Sequence, residues 1–184
     1  MKYLSSLILL IAGFQSHAQI YKSNEGYVSF FSEAPLENID ASSKNLVSVW
    51  SLTENEIAFS VAINSFQFKK QKMQDDFNED YMESSKYPVA TYKGKTNEKI
   101  DLKKDGSYTI TSSGVLTIHG ISKQRKDTAT IRITDGKITL YSSFKVHVAD
   151  YGIRIPKILF EHLAETVSVK LMLNYLPFKE EQKQ

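Results

Sequence analysis

The sequence predicts a mainly β fold, in which antiparallel strands form a barrel or a sandwich with one inserted amphipathic helix. Large apolar residues alternate with polar ones in segments such as 57–63, 137–149 and 167–173, which is the two-residue period of half-buried strands. Asp135-Gly136 separates two alternating runs, and an Asp-Gly pair in that position is typical of a tight hairpin. The clearest helical periodicity lies in one stretch between two predicted strands.

Strands account for most of the pattern, and turn signals separate them at short intervals. In chain order the predicted strands are Tyr27–Phe31, Leu46–Leu52, Ile57–Ile63, Val89–Lys95, Tyr108–Ser112, Val115–Ile118, Thr128–Thr134, Lys137–Ala149 and Thr166–Asn174. Turns are predicted at Asn24-Glu25-Gly26, Asp105-Gly106 and Asp135-Gly136, and both Asp-Gly pairs are interpreted as hairpins. A total of roughly eight or nine strands is typical of a barrel or a sandwich.

The helix is predicted from Lys69 to Ser84. Met73, Phe77 and Tyr81 recur at four-residue intervals, with charged residues between them. Proline at the end of the following Ser-Ser-Lys-Tyr-Pro stretch disfavours helical backbone at the residue before it. A second, weaker helical turn is predicted over Lys157–Ala164.

The N-terminal segment has the order of a secretory signal peptide. A lysine precedes an apolar run over residues 4–13, and Ser16 and Ala18 are small residues where signal peptidase reads them. The apolar run is about ten residues, well short of the roughly 20 that a membrane-spanning helix needs. We therefore expect residues 1–18 to be removed, residues 19–184 to form one domain, and the mature protein to be periplasmic or secreted without a membrane span.

The composition narrows the possible chemistry. The 184 residues include no cysteine, which excludes disulfides, thiolate metal sites and a cysteine nucleophile. Lys and Arg number 23 against 21 Asp and Glu, so the basic excess of a nucleic-acid-binding protein is missing. We therefore expect no nucleic-acid partner.

Motifs for catalysis and metal binding are weak. The acidic run over residues 75–80 fits the solvated face of the helix better than a magnesium–diphosphate motif. His119, His147 and His162 lack the paired spacing of metal ligands and are interpreted as structural. No Gly-x-Ser-x-Gly motif marks a serine nucleophile. The sequence thus predicts no catalytic residue, no metal, no cofactor and a function other than catalysis.

Aromatic residues are abundant, with ten Phe, ten Tyr and one Trp. They could fill an ordinary core, or they could line a lumen, because an eight-stranded barrel is wide enough to hold one small ligand. In the second case the helix would close the mouth of the barrel. The residues predicted to line the lumen and to contact an apolar ligand are Phe59, Val61, Phe66, Met73, Phe77, Tyr92, Leu116, Ile118, Phe144 and Val146.

Specific segments resemble a known family. Gly114–Lys123 closely resembles the G-x-L-T-(I/L)-(H/N)-G-(V/I)-(T/S)-K stretch of YceI-like proteins. Phe66–Phe68 and Tyr81–Pro88 resemble the family's helical region and the Tyr-Pro before its next strand, whereas Asp150–Ile153 and Val167–Val169 resemble its closing strands. The resemblance extends over almost the whole chain that would follow the signal peptide.

The resemblance implies an extended, eight-stranded, lipocalin-like antiparallel β-barrel, exported by many bacteria, whose lumen in some members holds a polyisoprenoid or another long-chain amphiphile. No catalysis is attached to it. The leading hypothesis is a periplasmic binding or carrier protein for a polyisoprenoid, an isoprenoid quinone or a fatty-acid derivative. A structural or stress-related barrel with a filled core is one alternative, and an enzyme acting on such a lipid is another. An apolar cavity of several hundred Å³ would distinguish a binder from a filled barrel.

Overall fold

The computed structural model describes residues 19–33, 38–154 and 165–178, which form nine strands and one short helix. The strands are β1 (Ile20–Ser32), β2 (Ile39–Ser51), β3 (Glu56–Ala62), β4 (Gln67–Phe68), β5 (Val89–Thr96), β6 (Gly106–Ile118), β7 (Ile121–Thr134), β8 (Lys137–His147) and β9 (Thr166–Pro177). The helix α1 (Gln71–Asp76) continues into a π-helical turn at Phe77–Tyr81, and 3-10 turns occupy Ile63–Ser65 and Val148–Tyr151. The predicted signal peptide and the predicted helical turn at Lys157–Ala164 lie outside the described residues.

Eight of the strands close into an antiparallel barrel. The order around the barrel is β1-β9-β8-β7-β6-β5-β3-β2, and β1 pairs with β2 to complete the circle. The two-residue strand β4 adds to β2 through the pairs Ala41/Phe68 and Ser42/Gln67. The predicted mainly β fold, an eight-stranded barrel with one inserted helix, is confirmed, and closure rules out the sandwich.

Two-residue turns connect β6 to β7 and β7 to β8. Asp135 and Gly136 have φ values of 50° and 72°, and His119 and Gly120 have values of 50° and 73°. Positive φ at both central residues is what a type I′ turn requires, and its twist matches that of the flanking strands. The predicted Asp135-Gly136 hairpin is confirmed.

The turn predicted at Asn24-Glu25-Gly26 is wrong, because these residues form a bulge inside β1. The register with β2 shifts between Ser23 and Gly26, so the strand continues without reversing. Gly26 is buried, and a Cβ on it would lie 2.7 Å from the Leu46 carbonyl oxygen and would overlap Leu173. The glycine thus permits a close backbone approach rather than a change of direction.

Two further predictions differ from the structure in the β5–β6 region. Asp105-Gly106 is not a tight hairpin, since residues 97–105 form the connection and Gly106 is the first residue of β6. Tyr108–Ser112 and Val115–Ile118 are not two strands but parts of one, with Gly114 in its interior. A glycine inside an alternating run can interrupt the side-chain pattern without interrupting the ladder.

The helical segment is shorter than the predicted Lys69–Ser84. It spans α1 and the π-helical turn, in which the Met82 N–H donates to the Phe77 carbonyl oxygen at 2.9 Å. Glu83 has a φ of 41°, a left-handed conformation that ends the helix before Ser84.

A packed core fills the end of the barrel that carries the β2–β3 and β7–β8 turns. The most deeply buried large side chains there are Trp50, Ile57, Ile110, Ile131, Ile133, Leu140 and Leu173. Complete burial of such a side chain contributes about 1.5–3 kcal/mol to the free energy of unfolding. The connection that contains the helix joins β3 to β5 at the opposite end, so the two ends of the barrel differ in construction.

Candidate functional site

A cavity of about 550 Å³ lies inside the barrel, between the filled end and the helix. Most of the side chains around it are apolar, and its volume falls within the roughly 300–1,000 Å³ of small-molecule sites. All ten residues predicted to line the lumen are on its wall: Phe59, Val61, Phe66, Met73, Phe77, Tyr92, Leu116, Ile118, Phe144 and Val146. Their contact with a ligand stays a prediction.

Strand pairing explains why these side chains face one another. Phe59 pairs with Tyr92, and Tyr92 pairs with Leu116, so three adjacent strands present large side chains at one level of the wall. The Phe59 and Tyr92 rings stack with their centroids 5.5 Å apart. Because side chains alternate between the two faces of a strand, the same period that buries these residues exposes their neighbours.

Four phenylalanines hold the helical segment against the barrel. The Phe77 ring centroid lies 5.5 Å from that of Phe30, 5.8 Å from that of Phe66 and 5.0 Å from that of Phe68. We call these four residues the phenylalanine cluster. Phe30 and Phe68 were not predicted as lining residues, although Phe30 shares the inward face of β1 with the buried Val28. The helical segment is therefore part of the cavity wall.

A cluster of polar side chains interrupts the mostly apolar wall. It consists of Tyr92, Ser112, Arg125 and Asp127, which all line the cavity and which we call the inner polar group. The Tyr92 and Ser112 hydroxyl oxygens are 2.6 Å apart. Arg125 donates from Nε to Asp127 Oδ2 at 2.5 Å and from Nη2 to Oδ1 at 2.7 Å, a paired geometry that favours the ionised forms of both groups.

The environment sets the charge of the inner polar group. Burial raises the pKa of the Tyr92 hydroxyl, and the hydrogen bond with Ser112 only partly opposes that shift. The hydrogen bond to Asp127 raises the pKa of Arg125 further, against the effect of burial. At neutral pH Tyr92 is therefore an uncharged hydroxyl, and Arg125 is a cation.

The guanidinium of Arg125 also spans a split in the barrel wall. In the described chain the β7–β8 ladder ends at the pair Ala129/Ser142, and the remaining part of each strand pairs only with its other neighbour. Arg125 Nη1 donates to the Lys145 carbonyl oxygen of β8 at 3.2 Å, and the guanidinium carbon lies 4.5 Å from the Phe144 ring centroid. One side chain thus connects the two separated strands.

A histidine ties the helical segment to the end of the barrel. His119 Nε2 is 2.8 Å from Glu83 Oε2, and Nδ1 is 3.2 Å from the Tyr151 carbonyl oxygen. The edge of the ring also contacts Tyr87, at a centroid separation of 4.3 Å. The described contacts of His119 are those of a structural residue, which agrees with the sequence interpretation. His162 lies outside the described residues.

The acidic run on the helix is in contact with neighbouring helical residues and solvent. Lys72 Nζ lies 3.0 Å from Asp76 Oδ1, and Gln71 donates to Asp75 at 2.8 Å, both on exposed parts of α1. Across the described residues, no group of three or more His, Asp or Glu side chains could hold a metal ion. No helix among them is both long enough and apolar enough to cross a membrane.

Comparison with known proteins agrees with this geometry. The model of a family described as the YceI-like domain matches residues 16–175. No curated protein matches the sequence.

Several solved structures have a similar fold. A polyisoprenoid-binding domain from Saccharophagus degradans, implicated in plant cell wall breakdown, is 17% identical with a TM-score of 0.73 over 88% of this chain and 100% of that one. Burkholderia cenocepacia BcnA is 15% identical with a TM-score of 0.68 over 81% and 95% of the two chains. A Campylobacter jejuni YceI protein is 21% identical with a TM-score of 0.56 over 80% and 90%. At these identities the similarity establishes a common fold.

Proposed function

This chain belongs to the YceI-like domain family, and from that membership we propose that it binds and carries a long-chain hydrophobic ligand in the lumen of its barrel. The ligand class is a polyisoprenoid, an isoprenoid quinone or a fatty-acid derivative. The observation that carries the proposal is the apolar cavity of about 550 Å³ between the packed end of the barrel and the helical segment. A barrel filled completely by its own side chains would have no such volume.

The energetics favour recognition through the apolar chain of the ligand. Burial contributes about 0.8 kcal/mol per methylene, so one five-carbon isoprenoid unit supplies on the order of 3 kcal/mol before ordering costs. Micromolar binding corresponds to about 8 kcal/mol, which a few such units reach. Apolar burial is non-directional and roughly proportional to the area removed from water, so affinity should rise with buried chain length.

The cellular site of this binding is the periplasm or the extracellular space. The N-terminal order of a lysine, an apolar run and the small residues Ser16 and Ala18 supports export and cleavage. A carrier in an aqueous compartment would shield an apolar chain from water, which is the role that an enclosed lumen fits best.

The fold of this chain is similar to that of the polyisoprenoid-binding domain from Saccharophagus degradans, and this similarity supports an isoprenoid as the ligand.

An enzyme acting on a lipid is the second candidate, and the inner polar group is the feature that would favour it. Arg125 and Asp127 form a closed ion pair and Tyr92 is uncharged, so the group offers neither a poised base nor an activated nucleophile. Binding without catalysis is therefore the function that we propose.

Extraction of the native protein with organic solvent, followed by mass spectrometry, tests the proposal directly. The protein is purified from its source compartment without detergent, and the extract is compared with that of a denatured and delipidated sample. A stoichiometric apolar molecule is the expected result. An empty extract, together with failure of the delipidated protein to bind fluorescent acyl or polyprenyl probes of several lengths, would contradict ligand binding and leave a structural or stress-related role as the better function.

A further inference from the structure

The inner polar group is built by the register of three strands. Ser112 of β6 pairs with Asp127 of β7, and Gly114 pairs with both Arg125 and Gly94 of β5. Paired residues share a face of the sheet, so these positions point into the barrel together with the buried Ile131 and Ile133 further along β7.

The facing glycines make the space that the polar group occupies. Neither Gly94 nor Gly114 has a side chain to cover this part of the wall, and a Cβ on Gly94 would lie only 2.5 Å from the Tyr92 hydroxyl oxygen. The Tyr92 ring thus lies along the wall over Gly94, and its hydroxyl reaches Ser112. A polar patch of defined geometry results inside a cavity whose wall is mostly apolar.

The charges within this patch cancel. The side chains of Arg125 and Asp127 are 18% and 23% exposed, and the two hydrogen bonds between them neutralise one charge with the other. A phosphate or carboxylate that entered the patch would have to approach the Asp127 carboxylate at low dielectric, where repulsion between like charges is strong. The patch therefore disfavours an anion, even though it contains an arginine.

Hydrogen-bond donors remain available in the patch. A guanidinium has five N–H groups, of which Arg125 directs two to Asp127 and one to the Lys145 carbonyl oxygen. The Arg125 guanidinium is also hydrogen-bonded to the Tyr151 side chain, which leaves one N–H for a further acceptor. Two hydroxyls joined by one hydrogen bond, as in the Tyr92–Ser112 pair, keep one O–H for another acceptor. An uncharged oxygen of a ligand would accept these bonds without displacing Asp127.

We propose that the inner polar group is the head-group site of the bound amphiphile and that it selects an uncharged, hydrogen-bond-accepting head, such as a carbonyl or a hydroxyl, over a phosphate or a carboxylate. This inference rests on the proposed function, because it requires an apolar chain in the cavity. The head lies against β5, β6 and β7, while the chain extends along the apolar wall toward the phenylalanine cluster.

The lysines of the helical segment offer a competing site for an anionic head. Lys70 and Lys72 both line the cavity, but Lys72 is 85% exposed and forms an ion pair with Asp76, so water and salt screen its charge. A head group placed there would be insensitive to changes at Asp127. Sensitivity to a substitution at Asp127 therefore distinguishes a head group at the inner polar group from one beside the lysines.

The test compares four ligands with the same oleyl chain: oleyl alcohol, methyl oleate, oleate and oleyl phosphate. Each displaces a fluorescent fatty-acyl probe from the delipidated protein at neutral pH, with the anions below their critical micelle concentrations and the alcohol and the ester below their solubility limits. We expect the alcohol and the ester to bind the wild type about tenfold more tightly than the two anions, which corresponds to about 1.4 kcal/mol. In Asp127→Asn, which keeps the side-chain shape but leaves Arg125 unpaired, we expect oleyl phosphate to gain about tenfold while the alcohol changes little.

Two further variants complete the design. Asp76→Asn makes the same chemical change on the helical segment and should leave the ligand order of the wild type unchanged. Tyr92→Phe removes a donor without changing any charge, and it should weaken oleyl alcohol several-fold more than oleyl phosphate. It also provides the decisive comparison if circular dichroism shows that Asp127→Asn does not fold.

Three results would overturn the inference. Equal affinity of the wild type for all four ligands, an unchanged ligand order in folded Asp127→Asn, or a reversal caused by Asp76→Asn would each place the head group elsewhere. Failure of every ligand to bind the wild type is a different result, because it would overturn the proposed function itself.

Discussion

Gly94 of β5 and Gly114 of β6 face each other in register, so closely that a Cβ on Gly114 would overlap the Gly94 Cα and would lie 2.9 Å from the Gly94 nitrogen. The close approach is made by backbone atoms, which cannot rotate away as the end of a flexible side chain can. Gly114 therefore serves the backbone geometry of the β5–β6 ladder, as glycine inside a strand often does.

Replacing Gly114 with valine should destabilise the barrel. Overpacking costs about 1–3 kcal/mol or more, and here the two strands would have to separate to relieve the overlap. Chemical unfolding followed by circular dichroism measures the effect. Ser113→Val is the matched control, because Ser113 is exposed in the same strand and valine suits an exposed strand position. Equal stability of the two variants would contradict the prediction.

Ser48→Ala should cost more stability than Tyr175→Phe, although both remove the same hydrogen bond. The Ser48 hydroxyl donates to the Ala58 carbonyl oxygen at 2.8 Å, so the Tyr175 hydroxyl must donate to Ser48, at 2.5 Å. Losing Ser48 leaves a buried tyrosine hydroxyl without that partner, at about 1–3 kcal/mol, whereas losing the tyrosine hydroxyl costs about 1 kcal/mol. Urea unfolding of both variants and of the double variant checks this order. A larger loss in Tyr175→Phe would contradict it.

The stability of the protein should fall as the pH rises above about 10, the ordinary pKa of tyrosine. Burial raises the pKa of Tyr175 in the folded state, so the unfolded chain releases this proton at a pH where the folded chain still holds it. The contribution of Tyr175 protonation to the free energy of unfolding is complete below the pKa of tyrosine in the unfolded chain. It is lost above that pKa, by up to about 1.4 kcal/mol per pH unit for one group. Tyr175→Phe should lose less stability than the wild type between about pH 8 and about pH 11, as measured by urea unfolding. Parallel losses in the two proteins would show that Tyr175 does not contribute.

Phe77→Asp should abolish retention of a hydrophobic ligand. Phe77 belongs to the phenylalanine cluster and lines the cavity, so the substitution places a charge against the apolar chain. Titration with a fluorescent polyprenyl or fatty-acyl probe measures the loss, and circular dichroism verifies the fold. Val49→Asp is the control, because Val49 is 43% exposed and its substitution adds the same charge to the outside of the barrel. Equal binding by the two variants would argue against ligand contact at Phe77.

Export should produce a chain that begins at Gln19. Ser16 and Ala18 are the small residues that follow the apolar run, which places cleavage after Ala18. The intact mass of protein isolated from the periplasm or the medium checks the site. Ala18→Phe should block cleavage there, because signal peptidase accepts only small residues at this position. Exported wild-type protein that still begins at Met1 would contradict the prediction.

The wall of the cavity could be predicted because its strands keep an unbroken two-residue period. Phe59 and Val61 on β3, and Phe144 and Val146 on β8, stand at every second position among smaller or polar residues. In that pattern only one face of the strand can be buried, so the alternation alone predicts which side chains point into the barrel. The packed residues at the other end of the barrel have the same period, which is why the sequence could not separate a lumen from a filled core.

The inner polar group could not be predicted in the same way. The predicted strand began at Thr128, whereas β7 begins at Ile121, and residues 121–128 are mostly polar or charged on both faces. If the two-residue alternation that buries Ile133 and Ile131 is extended toward the N-terminus, it also places Asp127 and Arg125 on the inward face. That extension requires knowing that the strand begins before Thr128. Residues 121–128 of β7 pair with β6 through backbone hydrogen bonds. Such pairing does not require an alternating pattern of apolar side chains, so the sequence pattern does not indicate it.

The helical segment illustrates a limit of periodicity. Met73, Phe77 and Tyr81 do share the face toward the barrel, as their four-residue spacing predicts. The spacing does not distinguish the α-helical hydrogen bonds of α1 from the longer bond that joins Met82 to Phe77 in the π-helical turn. Phe77, the first residue of that turn, packs against Phe30 of β1, a contact between residues distant in sequence that local spacing does not indicate.

The antiparallel pairing of β1 with β9 has a mechanical consequence. Tyr21 pairs with Pro177, and the Phe178 N–H donates to the Ile20 carbonyl oxygen at 2.8 Å. The start of β1 and the end of β9 therefore lie side by side at one end of the barrel. Force applied to these two ends would load the hydrogen bonds one after another, as in opening a zipper, and not all together in shear. The barrel should therefore yield to a pull along its own chain at low force, beginning at the packed end.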